Sequence, residues 1–214
     1  MTNARASAVH ILRRVARAAR ALRDDARASA AVEAALILPI ALTMFALLIY
    51  GAEAFAIQRK VTLTARTVTD LVTQASPRQI SSGASVVTAS STLNLLCAAS
   101  AVIQPYNSAS LSMVVSEVKV NSDGATTSDG LTALVQWSEP YNGATARTLS
   151  QKITLPTGLG VGQAGNYLVL GEVYYNFTPI SLFTPMSAMT LHDSIYLTPR
   201  QSTSISCTDC ATHS

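Results

Sequence analysis

The chain is poor in the residues from which active sites are most often built. Its three histidines, His10, His192 and His213, are too dispersed to form a histidine cluster for a metal ion. His192, Asp193 and Ser194 are adjacent in a segment that reads as strand. Successive strand residues point to opposite faces, so these three cannot make a triad. The glycines of GLGVGQAG, residues 158–165, do not follow the dinucleotide-binding spacing, and no acidic ribose partner is evident. A plain surface loop is the expectation there. Glu117, Glu139 and Glu172 lie in or at the ends of separate strands and read as solvated sheet residues. No catalytic residue, metal site, cofactor or small-molecule substrate is therefore expected. Cysteine is scarce as well. Cys97, Cys207 and Cys210 are an odd number, so in an oxidising compartment two would pair and one would be left over. Cys207 and Cys210 form a C-x-x-C close to a Thr/Ser-rich C-terminus, with no second pair and no helix after it. That context favours a structural disulfide over zinc or redox chemistry.

Long apolar runs are also lacking, with one exception. Residues 34–52 form a run of 19 uncharged residues rich in Ala, Leu and Ile, bounded by Glu33 and Glu53. A helix of that length crosses a hydrocarbon core of roughly 30 Å. The two acids, 20 residues and about 30 Å apart, can sit at opposite interfaces. Pro39 removes one backbone hydrogen bond, which transmembrane helices tolerate. Ala52-Glu53-Ala54 offers a signal-peptidase-like site. The run, however, exceeds the usual 7–15 residues of a signal peptide, and the helical pattern continues through the site. A retained anchor is the reading.

Charge is distributed unevenly. Residues 1–28 hold seven arginines against Asp24 and Asp25, giving +5, whereas the remainder carries −2. An Arg-rich flank favours the cytoplasmic side, so the body is expected outside the bacterial inner membrane, in the periplasm. Residues 7–27 read as an amphipathic helix held by anionic lipid. Two aspartates and the long apolar run argue against a mitochondrial presequence. Nucleic acid is not an expected partner for a segment tethered at the bilayer. Glu33 reads either as an interfacial carboxylate, with Arg27 as one partner, or as an acid that meets a charge on a neighbouring subunit.

Beyond the run, Ile57, Val61, Thr64, Val68, Leu71 or Val72, and Ala75 keep a helical period until Ser76-Pro77. This stripe must pack on the body. Residues 81–85 read as a Ser/Gly-rich loop and residues 86–104 as a second helix, with Cys97 on its buried face. Strands are expected at 110–120, 131–139, 166–177 and 189–197, punctuated by Gly, Asp, Asn, Ser and Pro. Pro140 is read as a strand stop, and residues 145–165 as a helical turn followed by the glycine loop.

Residues 30–39, AAVEAALILP, resemble the opening of TadE-like proteins, pilin-like components of the tight-adherence (Flp pilus) machinery. Members typically show small residues, then Val-Glu-Phe-Ala, then a Leu-rich span with an early proline, and after it a charged helix similar to residues 59–66. Residues 171–179, GEVYYNFTP, resemble the family's Val/Glu-rich strand ending in Tyr-x-Phe-x-Pro, and residues 194–200 its late strand before an Arg. The resemblance covers residues 28–76 well and the body loosely. It implies a pilin-like component of pilus assembly or a related secretion system, acting through other pilin-like subunits and not as an enzyme. In the related type IV pilins a peptidase cuts before a mature start whose fifth residue is Glu. On this chain the cut would fall between Ala28 and Ser29, making Glu33 that residue. Ala28 stands where pilins usually carry Gly, and Ala34 where an aromatic usually follows the Glu.

The expected fold is α+β, with a long N-terminal transmembrane helix continuing into a periplasmic domain of a second helix and a roughly four-stranded antiparallel sheet. Its segments are a basic cytoplasmic head at 1–28, the membrane helix at 29–56, a helical extension at 57–76 and the α+β domain at 77–214. A single-pass, membrane-anchored periplasmic binding or sensor module without a filament role is the alternative. An exported enzyme is a third reading, with no residue set to support it.

Overall fold

The computed structural model describes residues 26–74, 84–87, 89–121, 131–159, 164–179, 187–207 and 210, and the chain divides between Gly51 and Ala52 into two units. All but the last two residues of the basic segment 7–27 lie outside the described residues, as do parts of both expected loops.

The longest element, α1, is a helix over Ala26–Thr73 with Pro39 inside it. From Ala34 to Gly51, in the first unit, it is apolar all round. Leu36, Ile37 and Leu38 are exposed in succession, as are Leu47, Leu48 and Ile49. Consecutive exposed residues ring a helix, whereas a helix that lies on a protein core shows a stripe. Nothing in its most apolar window is buried, and the helix is long and apolar enough to cross a membrane. The Thr43 hydroxyl donates to Ile40 O at 2.8 Å, so it does not need a partner outside the helix.

Within the second unit α1 changes character. Ile57, Val61, Ala65, Val68 and Val72, spaced by three or four residues, are all almost fully buried. Thr64, Thr69 and Thr73 are buried beside them. Each donates its hydroxyl to a carbonyl of the preceding turn, Lys60 O, Ala65 O and Asp70 O, at 2.6–2.8 Å. That back-bonding lets polar side chains enter the core satisfied.

The body contains β1 (Ala84–Val87), α2 (Ala89–Ser100), β2 (Leu111–Val120), β3 (Thr132–Tyr141), β4 (Lys152–Thr154), β5 (Tyr167–Phe177), β6 (Met189–Leu197) and β7 (Ser204–Cys207). Five strands form one antiparallel sheet in the order β4-β3-β2-β5-β6, and β1 pairs with β7 as a separate parallel ribbon. One face of the sheet, with Leu111, Met113, Val115, Val169 and Val173, packs on the α1 stripe together with Leu96, Ala99 and Ile103. The other face carries a smaller cluster of Val118, Val120, Val135, Ile153, Leu155, Leu168 and Leu170.

A bulge in β3 distributes side chains between the two faces. Glu117 pairs with Trp137 but Val118 pairs with Val135, leaving Gln136 as the extra residue. Across it, Ala133 and Val135 face the smaller cluster while Trp137 faces the α1 side.

The fold is α+β with a long helix of membrane-spanning length, as expected, but several boundaries differ. The sheet has five strands and not four: β4 lies in the segment read as a helical turn, and its three residues are too few to show a period. Pro140 does not stop β3 but pairs with Val114. The neighbour on its other side, β4, reaches only Thr132–Leu134, so Pro140 stands on an edge, where its missing N–H is tolerated. Residues 84–87 are strand, where loop and helix start were expected. The second helix buries Thr92, Leu96 and Ala99, so Cys97 is exposed and not buried. The apolar spacing of Leu93, Leu96 and Cys97 suggested a face rotated by one residue.

α1 comes very near the sheet at Gly171 of β5. A Cβ there would lie 2.0 Å from Thr69 Oγ1 and 3.2 Å from Thr69 Cβ. Gly171→Ala is expected to destabilise the protein by about 1–3 kcal/mol, the usual range for overpacking. Thr69→Ala should restore much of that loss in the double variant, as read from denaturant unfolding of the full chain in detergent.

Candidate functional site

Ala28, Ser29 and Glu33, for which the resemblance implies processing and assembly roles, all lie on α1 in the first unit. The Ala28–Ser29 bond falls in helical backbone. Glu33 is exposed, with Val32, Leu36 and Ile37 exposed around it. The chemistry open to such a carboxylate is charge pairing. Two opposite charges about 4 Å apart attract by about 1 kcal/mol in water and by about 4 kcal/mol at an effective dielectric constant of about 20. An acid at the rim of an apolar surface is thus far more selective for a cation there than it would be in solution.

In the body, the acids are not solvated as expected. Glu117, Glu139 and Glu172 are 2%, 8% and 5% exposed. Nor do they converge on one site. Glu117 and Glu139 pair with Trp137 and Val115 on the α1 side of the sheet, whereas Glu172 opposes Val114 on the other. The signal for burial was present in the alternation: Glu117 continues the inward series Met113, Val115.

Glu172 is held by a two-pronged ion pair. Arg147 Nε donates to Oε2 at 2.6 Å and Nη2 to Oε1 at 2.7 Å, and the Tyr174 hydroxyl donates to Oε1 at 3.2 Å. The Arg147 backbone N–H donates to Ser138 Oγ at 2.9 Å, and Ser116 Oγ donates to the same oxygen at 2.9 Å. The hydrogen bond to Glu172 raises the Arg147 pKa further above its ordinary value. Burial, and then the Glu172 charge, raise that of Tyr174. This network ties the segment after β3 to β5.

Glu117 does something different. Its Oε1 accepts the Ile205 N–H at 2.5 Å, while Trp137 Nε1 donates to Ile205 O at 2.5 Å. Together they clamp both backbone groups of one residue in β7. Burial drives the Glu117 carboxyl from an ordinary 4.5 up to about 7, with the Ile205 and Trp137 hydrogen bonds opposing the shift.

His192 stacks on Tyr174 with ring centroids 4.4 Å apart, and Asp193 Oδ1 accepts the N–H of its own neighbour Ser194 at 2.8 Å. The three are thus not assembled into a triad. Cys207 and Cys210 are joined by a disulfide with Cα atoms 5.5 Å apart, and Cys97 is a free thiol. Among the described residues no group of three or more His, Cys, Asp or Glu side chains is placed to hold a metal ion.

Because the folded state favours the protonated form of Glu117, that proton stabilises the fold fully below about pH 4.5, and the contribution is lost as pH rises through about 7. The loss is on the order of 3 kcal/mol. Glu117→Gln, which keeps the acceptor oxygen, should flatten the pH dependence and raise stability at pH 8. Trp137, the sole tryptophan, reports it directly by fluorescence during denaturant unfolding. Comparison with known protein families, with curated proteins and with solved structures gives no match to this chain.

Proposed function

We propose that this chain is a single-pass inner-membrane protein with its C-terminal domain in the periplasm. In this reading it is a pilin-like, TadE-like component of a tight-adherence (Flp pilus) assembly or related secretion system. The observation that carries the reading is the change of character within α1. The helix is ringed by exposed apolar residues as far as Ile49 and striped with buried ones from Ile57 on. A protein built in this way presents a membrane-length surface that its described residues leave uncovered, and carries a folded domain on the same helix. Such a surface suits bundling with other helices in lipid, where close packing and a few polar groups supply the specificity.

The arginine-rich N-terminal flank supports a cytoplasmic N-terminus. The Cys207–Cys210 disulfide suits an oxidising compartment for the body. The resemblance of residues 30–39 to the TadE-like opening supplies the machinery. In this account Glu33 recognises a cation on a neighbouring subunit near the cytoplasmic interface, and an amine exposed by cleavage is one such group. The chain acts by assembly, with the domain held at the membrane by α1.

Two measurements test this. Glu33→Ala should leave membrane insertion intact while reducing capture of pilus-assembly partners in pull-downs by about tenfold, the equivalent of 1.4 kcal/mol. Unchanged capture would remove Glu33 from the mechanism. Mass spectrometry of the mature protein should find a chain beginning at Ser29. A full-length chain would favour the membrane-anchored binding or sensor module over a processed pilin.

A further inference from the structure

The second unit contains a groove of about 570 Å³ along α1, closed on its other side by Pro105 and Tyr106. Its size lies within the range of about 300–1,000 Å³ typical of small-molecule sites. Phe55 and Leu63 line it and are 76% and 50% exposed, a large apolar area for a helix whose opposite side is core. Arg59 and Lys60 add two cations, and no acidic residue is in the lining. Among the described residues neither cation forms an ion pair.

The position of the groove selects the ligand. It begins at Ala52, the last residue of the uncharged run, and Arg59 and Lys60 follow about 10–12 Å further along the helix. Helical side chains lean toward the N-terminus, so the long stems of Arg59 and Lys60 lean back toward Ala52. Headgroups occupy about 5–8 Å beyond the hydrocarbon on each side of a bilayer. The two cations therefore come to the level of lipid phosphates, with Phe55 at the acyl boundary. Tyr106, apolar in its ring and polar at its tip, suits the same layer.

We propose that this groove binds the headgroup of an anionic glycerophospholipid in the leaflet beside the domain. Arg59 and Lys60 hold the phosphate, and Phe55 and Leu63 pack on the upper acyl chain. The inference rests on α1 spanning a membrane and does not depend on a pilus role. Bound lipid would fix the depth at which the domain sits, because the groove lies on the same helix that enters the core at Ile57.

The test uses the full-length chain in phosphatidylcholine nanodiscs containing a photoactivatable phosphatidylglycerol. Matched discs carry a photoactivatable phosphatidylcholine with the same acyl chain, and adducts are mapped by mass spectrometry. Peptides covering residues 52–63 and 105–106 should be labelled preferentially by phosphatidylglycerol, by about fivefold for each cation. Arg59→Gln with Lys60→Gln should abolish that preference while labelling within residues 34–52 persists, and Arg59→Lys should retain it. The proposal is overturned if both lipids label the groove equally, or if the preference survives the double substitution. Occupation of the groove by a cross-linked protein in native membranes would also overturn it. If residues 34–52 are unlabelled, the membrane span fails and takes the proposal with it. Labelling confined to 34–52 defeats the lipid site alone.

Discussion

The burial of one stripe of α1 on the sheet is the interaction on which the rest of the body depends. Ile57, Val61, Ala65, Val68 and Val72 share a core with β2 and β5. Full burial of the four larger side chains is worth about 6–12 kcal/mol before the conformational entropy of ordering the helix is subtracted. Polar contacts set the register of the packing. Gln58 Nε2 donates to His192 O in β6 at 3.2 Å, and the Arg200 N–H donates to Thr73 O at 3.0 Å. Arg200 Nη2 also reaches Asp70 at 2.7 Å, placing a cation on the last turn of α1 where the helix dipole favours one. This exposed pair adds little energy by itself, and its value lies in positioning. Gly171 allows the helix to come close enough for the core to be continuous. From Ile57 to Thr73 the helix is thus a structural member of the domain.

The two faces of that sheet solve their polar burial in opposite ways. On the outer face Glu172 is buried as an ion with Arg147, doubly bonded and joined to Ser138 through the arginine backbone. On the α1 face Glu117 is buried with no cation paired to it among the described residues, so its charge is disfavoured and its carboxyl binds the backbone of Ile205. Both acids have structural partners. The surfaces that the proposals above rest on are the outer sides of α1, an apolar ring in one unit and a cationic, aromatic-lined groove in the other.

Much of this was legible in the residues. The uncharged run at 34–52 and the stripe from Ile57 to Val72 are periodic signals over many residues, and helices of that kind are read from local sequence. Strands β2, β5 and β6 were also plain from their β-branched and aromatic content. Most of the differences share a physical cause, in that the deciding partner lies outside the local segment. β1 exists because β7, more than a hundred residues later, lies beside it. Pro140 is tolerated because β4 is short, and Glu117 is buried because β7 presents Ile205 to it. Cys97 was misplaced by a single step of helical phase, since Thr92 takes a core position that an apolar count would have given to Leu93.

The central claim, that α1 is a membrane anchor holding the domain on the far side of the inner membrane, has a native reporter. Cys97 is free and exposed, whereas Cys207 and Cys210 are joined to each other. A membrane-impermeant maleimide applied to intact spheroplasts that express the full chain should label Cys97, and Cys97→Ser should abolish the signal. Labelling that appears only after the inner membrane is lysed would contradict the account.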